Sequence, residues 1–101
     1  MISRQWRGLA RATMAGAYVE HLRSETFPSL REIPGFISAA ILRRPLAGGV
    51  EFLIVTNWAS PEAIQAFAGS DAEQAVVPAK VQEMMIEFDR RAKHFEIVEG
   101  A

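Results

Sequence analysis

Tyr18 and His21 are the pair whose types and spacing come nearest to acid–base chemistry. They stand three apart in a segment of helical periodicity, so they share one face. An unperturbed histidine titrates near pH 6.5, and beside a phenol it is placed to take a phenolic proton. The plainer account is a histidine at a helix edge with a water or an acid as partner. His94, the other histidine, alternates with Phe95. It faces either a cavity shared with Trp6 or an interface where Glu51 or Glu96 would hold it. Trp6 lies beside Gly8, and a large ring next to a missing side chain walls a flat pocket or fills core. Trp58 ends a strand-like run just before a helix start, where pocket rims form. Asn57 points to the opposite face by alternation. It is better read as satisfying local backbone groups.

Other chemistries find no residues. The chain has no cysteine, which excludes disulfides, zinc fingers and thiol catalysis. Two histidines without a nearby carboxylate at ligand spacing do not make a metal site. No serine-centred elbow, phosphate loop or dinucleotide glycine pattern occurs. The Met84-Met85 pair suits plastic core packing. Net charge is −1, so the basic footprint of a nucleic-acid partner is missing. The arginines fall in small groups among acids, and solvated ion pairs are the default reading for Arg4, Arg7 and Arg11. No apolar run is long enough to span a bilayer, and none at the start resembles a signal peptide. A cytoplasmic location is expected, with no membrane partner.

The elements that position these residues follow from local chemistry. With 101 residues there is room for one domain, 1–101, and one core. Residues 2–11 read as a strand. Thr13 is placed to cap a helix carrying Met14, Ala17, Tyr18, His21 and Leu22, which Pro28 interrupts. Pro34-Gly35 ends the next short turn. Residues 36–44 and 50–58 read as a hairpin around the turn from Pro45 to Gly49. Ser60-Pro61-Glu62 starts a helix that stops at Gly69. Ser70 with Glu73 reads as a capping box for another turn. A last helix carries Val81, Met84, Met85 and Phe88, and residues 92–98 form the fourth strand. The order β-α-β-β-α-β is the ferredoxin-like α+β arrangement, an antiparallel sheet with helices on one face.

That sheet needs a partner. In the third strand Phe52 and Ile54 point one way, Leu53 and Val55 the other. In the second, Ile37, Ala39 and Ile41 oppose Phe36, Ala40 and Leu42. Both faces read as buried, and helices cover only one. A homodimer with sheets facing is expected.

The chain also resembles the antibiotic biosynthesis monooxygenase family of dimeric α+β barrels. The resemblance rests on Trp6-Arg7-Gly8, Ile33-Pro34-Gly35-Phe36, Glu51-Phe52-Leu53 and Thr56-Asn57-Trp58-Ala59-Ser60. It continues through Ala66-Phe67-Ala68-Gly69-Ser70-Asp71, Ala75-Val76-Val77-Pro78 and His94-Phe95-Glu96-Ile97. It implies a pocket between helices and sheet in each subunit. It also implies a monooxygenase that oxidises small electron-rich aromatic or polyketide-like substrates with O₂ and no flavin or metal. On that implication His21 or His94 is the catalytic base, Trp6, Tyr18, Trp58 and Phe67 hold the ring, and no cofactor is expected. A second branch of the family degrades haem, using a first-strand Asn and a Trp and a His after the third strand. Those positions fall at no Asn here, at Phe67 and near Val77, so haem is not expected. Two alternatives remain: a non-catalytic dimeric barrel binding a small apolar metabolite, and a cofactor-free isomerase or cyclase.

Overall fold

The computed structural model describes residues 1–101. Strand β1 spans Ile2–Ala10, and a short 3₁₀ turn, Ala12–Met14, leads into α1, Ala15–His21. A π-helical segment, Leu22–Thr26, joins α1 to α2, Phe27–Arg31. The hairpin is β2, Phe36–Leu46, and β3, Gly49–Trp58. Helix α3 spans Pro61–Ala68 and α4 Ala79–Met84; β4 is Met85–Phe88 and β5 Lys93–Glu96. The sheet order is β2-β3-β1-β4, with β5 also on β1 and every pairing antiparallel. This is the expected ferredoxin-like order. No helix is long and apolar enough to cross a membrane.

Several local expectations hold for the reasons given. The Ser60 hydroxyl accepts the Ala63 N–H at 3.3 Å, Pro61 opens α3, and Gly69 ends it at φ 88°. Gly35 adopts φ 94°, and a Cβ there would lie 2.7 Å from that of Ala63. Glycine therefore lets the entry to β2 pass tightly against α3.

Others are corrected. Thr13 caps nothing, since neither the 3₁₀ turn nor α1 has a side-chain cap. Pro28 does not interrupt the helix. The wider π turn before it reroutes the backbone hydrogen bonds that a proline would otherwise break, and the helical path continues to Arg31. Ser70 and Glu73 make no capping box; that stretch is a turn, and Asp71 pairs with Arg91 at 2.8 Å. Met85 and Phe88 belong to a strand, not to the last helix. The fourth strand is thus split: β4 lies on Gly8–Ala10 and β5 on Ile2–Gln5. Between them the Asp89 carbonyl takes the Trp6 indole N–H at 2.8 Å.

The helix-side face carries Arg4, Trp6, Gly8 and Ala10 from β1 opposite Thr56, Ile54, Phe52 and Val50 of β3. One core cluster joins Ala10, Phe52, Ile54 and Met85 to Tyr18 and Leu22 of the first helix and Val81 and Met84 of α4. A second gathers Trp58, Leu30, Ala63 and Ile64. Phe36 joins this face, against its expected direction, because a bulge at Ile37 shifts the β2 register. Its ring meets Trp58 edge-on at 5.3 Å.

The opposite face has no cover within the chain. It presents Leu9, Leu53, Val55, Ala40, Leu42 and Phe95 with Arg7, Glu51 and Arg44 among them. Arg7 and Arg44 both bind Glu51 at 2.5 Å. Leu42 and Phe95 stand about half exposed, at 46% and 50%.

Gly8 fixes the Trp6 ring. A Cβ on Gly8 would lie 2.6 Å from that ring and 2.9 Å from the Met85 sulfur. Gly8→Ala is expected to destabilise by about 1–3 kcal/mol through overpacking. Urea unfolding checks this, and a red-shifted Trp6 emission would report the displaced ring.

Candidate functional site

A cavity of about 70 Å³ lies between the sheet and the first helix. Trp6, Ile54 and Thr56 form its floor; Tyr18, His21 and Leu22 form one wall; Phe67, Val76 and Pro78 close the far side. The sheet supplies rigid backing, while the π turn sets the other rim with Thr26 and Phe27. Trp6 and Tyr18 sit tilted at 6.3 Å, and Tyr18 meets Phe52 edge-on at 4.9 Å.

Of the expected site residues, the cavity brings together Trp6, Tyr18, His21 and Phe67. Trp58 and His94 stand outside it. Trp58 is a correction: it is fully buried in the second core cluster rather than at a rim. Its indole N–H donates to the Thr56 hydroxyl at 2.8 Å, and its ring stacks on Phe67 at 6.0 Å. It backs two cavity residues without lining the space. Asn57 points to the uncovered face and donates to Ser38 at 3.0 Å.

His21 does have a carboxylate, as the plainer account of it expected. Its Nδ1 lies 3.1 Å from Glu25, one turn further along the helix, and Lys80 holds the same Glu25 oxygen at 2.6 Å. The Lys80 hydrogen bond and charge, with His21 adding to them, keep the Glu25 carboxyl below its ordinary range. In the neutral tautomer that donates Nδ1–H to Glu25, Nε2 is the bare ring nitrogen. Every fully buried side-chain nitrogen and oxygen has a partner. Neither Nε2 of His21 nor the Tyr18 hydroxyl makes a hydrogen bond, so both keep accessible surface in residues that line the cavity. Burial pushes the Tyr18 phenol above its ordinary range, which leaves it a proton donor.

Arg4 is the residue that sequence reasoning missed. It is 95% buried by its 5% exposure, lines the cavity and has no carboxylate partner. Its Nη1 donates to the Ala72 carbonyl and meets His94 Nε2 at 2.8 Å, and Nη2 donates to the Gln74 carbonyl at 2.8 Å. The guanidinium also lies 5.6 Å over the Phe67 ring. Alternation along β1 put Arg4 on the same face as Trp6, and that was the available signal.

His94 faces the helix side, directly across from Arg4, and not the uncovered face. Its Nε2 accepts from Arg4, so it is neutral and has no lone pair left to act as a base there. Burial lowers its pKa and the Arg4 charge lowers it further, against a smaller opposing pull from Glu73. In the unfolded chain it returns to about 6.5. Between those values the unfolded state binds more protons, so stability falls as pH drops below about 6.5 and continues to fall to the folded value. Urea midpoints at pH 7.5 and 5 should show this loss, and His94→Gln, which keeps an acceptor and does not titrate, should reduce it.

Haem does not fit these residues. The inner face of the first strand offers Arg4 and Trp6 and no asparagine, and Phe67, Val76 and Pro78 across the cavity carry no iron ligand. The cavity's imidazole belongs to His21 on α1, and its Nδ1 is engaged by Glu25. No cluster of three His, Cys, Asp or Glu side chains is placed to hold a metal ion.

Comparison with known proteins agrees with this architecture. The family model described as antibiotic biosynthesis monooxygenase matches residues 4–79. A Bacillus cereus protein assigned to the antibiotic biosynthesis monooxygenases superimposes with a TM-score of 0.70 at 17% identity, covering 100% of this chain and 94% of that one. The haem degrader MhuD of Mycobacterium tuberculosis, solved with two haems in its active site, gives 0.62 at 23% identity, covering 100% and 99%. The monooxygenase ActVA-Orf6 of Streptomyces coelicolor, solved with nanaomycin D, gives 0.65 at 19% identity, covering 99% and 88%. At these identities the solved structures establish a shared fold. No curated protein matches the sequence.

Proposed function

The chain belongs to the antibiotic biosynthesis monooxygenase family, and from that premise we propose that its cavity oxidises a small electron-rich aromatic or polyketide-like substrate with O₂ and without a cofactor. The observation that carries this reading is His21, tied through Nδ1 to Glu25 and free at Nε2 among Trp6, Tyr18 and Phe67. Nε2 takes a proton from a phenol or an activated CH₂, leaving an electron-rich anion. That anion passes one electron to O₂, and the radical pair combines to a peroxide. The peroxide takes a proton, and loss of the second C–H proton with O–O cleavage gives a carbonyl and one water. The CH₂ carbon is oxidised by four electrons and O₂ is reduced by four, so no outside reductant enters. Trp6 and Phe67 hold the ring, and the Tyr18 hydroxyl hydrogen-bonds to a substrate oxygen.

The cavity is well below the roughly 300–1,000 Å³ usual for ligand pockets. Substrate entry therefore parts Thr26 and Phe27 from Val76 and Pro78. The same small volume favours the second reading, a dimeric barrel that only binds a small apolar metabolite. Oxygen uptake with a panel of hydroxyanthrone-type substrates in metal-free buffer separates them. Uptake with one water formed per O₂ supports the oxygenase. Ligand binding without uptake supports the binder, and turnover under anaerobic conditions supports an isomerase or cyclase.

The uncovered face supports a homodimer. Leu9, Leu42, Leu53, Val55 and Phe95 form its apolar part, and a second copy laid sheet to sheet would bury them. Light scattering at micromolar concentration should give twice the chain mass. Val55→Glu should halve it, by placing a charge on that face opposite the neutral Gln5 and Ala40.

A further inference from the structure

Arg4 leaves a charge that the chain itself does not balance. The other well-placed cations have carboxylates: Arg7 and Arg44 share Glu51, Lys80 has Glu25, and Arg91 has Asp71. All of these are more exposed than Arg4, which is buried and receives only neutral acceptors: two carbonyls and His94. Neutral acceptors satisfy hydrogen bonds but do not cancel a buried positive charge. Glu73, exposed on the following turn, acts on it only at a distance.

The donor count points the same way. A guanidinium has five N–H groups. Nη1 uses two and Nη2 one, which leaves Nε–H and one Nη2–H. No fully buried side-chain nitrogen is without a partner, so Nε keeps accessible surface, and Arg4 lines the cavity. Beside it the Thr56 hydroxyl accepts from Trp58 and so has its own O–H free to donate. The Arg4–Thr56 side of the cavity therefore offers three unspent donors and a net positive charge. The two loop carbonyls and His94 hold the guanidinium in place before any ligand arrives.

We propose that the ligand of this cavity carries a carboxylate, which seats on Arg4 and Thr56 while its ring lies between Trp6 and Phe67. The preferred substrates are thus aromatic or unsaturated acids rather than neutral polyketides. This deepens the functional reading above and rests on the same cavity. A carboxylate supplies both the acceptors and the missing charge, and charge-assisted bonds to arginine are the strong class.

The experiment is a fluorescence titration of the full-length protein, following Trp6, with 2-hydroxybenzoate and with its neutral amide. Wild-type protein is expected to bind the acid about 10- to 100-fold more tightly than the amide, the span of a hydrogen bond to a charged group. Arg4→Lys and Arg4→Gln should remove most of that preference. Equal binding of acid and amide by the wild type would overturn the proposal, even where the variants fail to fold, and so would absence of acid binding. An acid preference retained in folded Arg4→Gln would also overturn it. The readout needs no turnover. Acid binding without oxygen uptake would leave Arg4's role standing while the oxygenase reading fell. Uptake on a neutral substrate without acid preference would do the reverse.

Discussion

His21→Ala is expected to lower the rate of oxygen uptake by about 10²- to 10⁴-fold, the range for loss of a positioned general base. KM should move far less, because Trp6, Phe67 and Tyr18 would still hold the ring. The loss belongs to Nε2, the bare nitrogen in a residue that lines the cavity. Glu25→Ala should cost less, since it releases the Nδ1–H tautomer and ring orientation but leaves the imidazole in place. His94→Ala should not reproduce the His21 effect, because His94 lies outside the cavity with its Nε2 already engaged by Arg4. Steady-state oxygen consumption on the three variants checks the order. Equal rates for wild type and His21→Ala would remove the base from the mechanism.

Trp58→Ala is the second large effect, and it falls on stability. Removing a fully buried tryptophan costs about 3–5 kcal/mol. Whole domains hold only about 5–15 kcal/mol, so much of the reserve is at stake. Phe36 and Phe67 would each lose an aromatic neighbour, and Thr56 the N–H it accepts from. Chemical denaturation should show the loss as an earlier midpoint. Trp58→Phe should recover much of the stability. A Trp58→Phe variant as stable as wild type but without activity would instead make Trp58 a substrate contact.

The parts of the fold legible in the sequence are those written by short-range chemistry. Ser60-Pro61, Gly69 and the turn expected from Pro45 to Gly49 each have a local cause; the turn itself is tighter, Ala47–Gly48, and the bulge at Ile37 was not foreseen. The path through Pro28 was not legible, because a π turn has no sequence signature as sharp as proline's own. Glu25, four residues after His21, already lay within the helix expected before Pro28, and that i,i+4 spacing was the signal left unread. Met85 and Phe88 are three apart, a helical spacing that regular strand alternation would put on opposite faces; the irregularity at Leu9–Ala10 sets Met85 across from Ala10 and Phe88 across from Gly8, both on the helix side. Tyr18 and His21 were found because helical period sets them on one inward face, Trp6 because it stands beside Gly8 in a strand, and Phe67 only through the family resemblance. Arg4 was hidden for the opposite reason. A charge near Arg7 and Arg11 looks solvated, and its burial depends on carbonyls 68 and 70 residues away.

The split between β4 and β5 bears on how the chain survives at high concentration. An edge strand offers unpaired backbone groups that can recruit another chain and seed aggregates. Here that edge is cut into two pieces of four residues each, with a turn between them. Neither piece is long enough to template a stable foreign strand. The opposite edge, β2, is longer, at 11 residues, but it is bulged at Ile37 and carries Arg43, Arg44 and Pro45 near its end. Like charges and a missing N–H make that stretch a poor seed as well. The interruption that lets a backbone carbonyl hold the Trp6 ring thus also guards the sheet against indiscriminate growth.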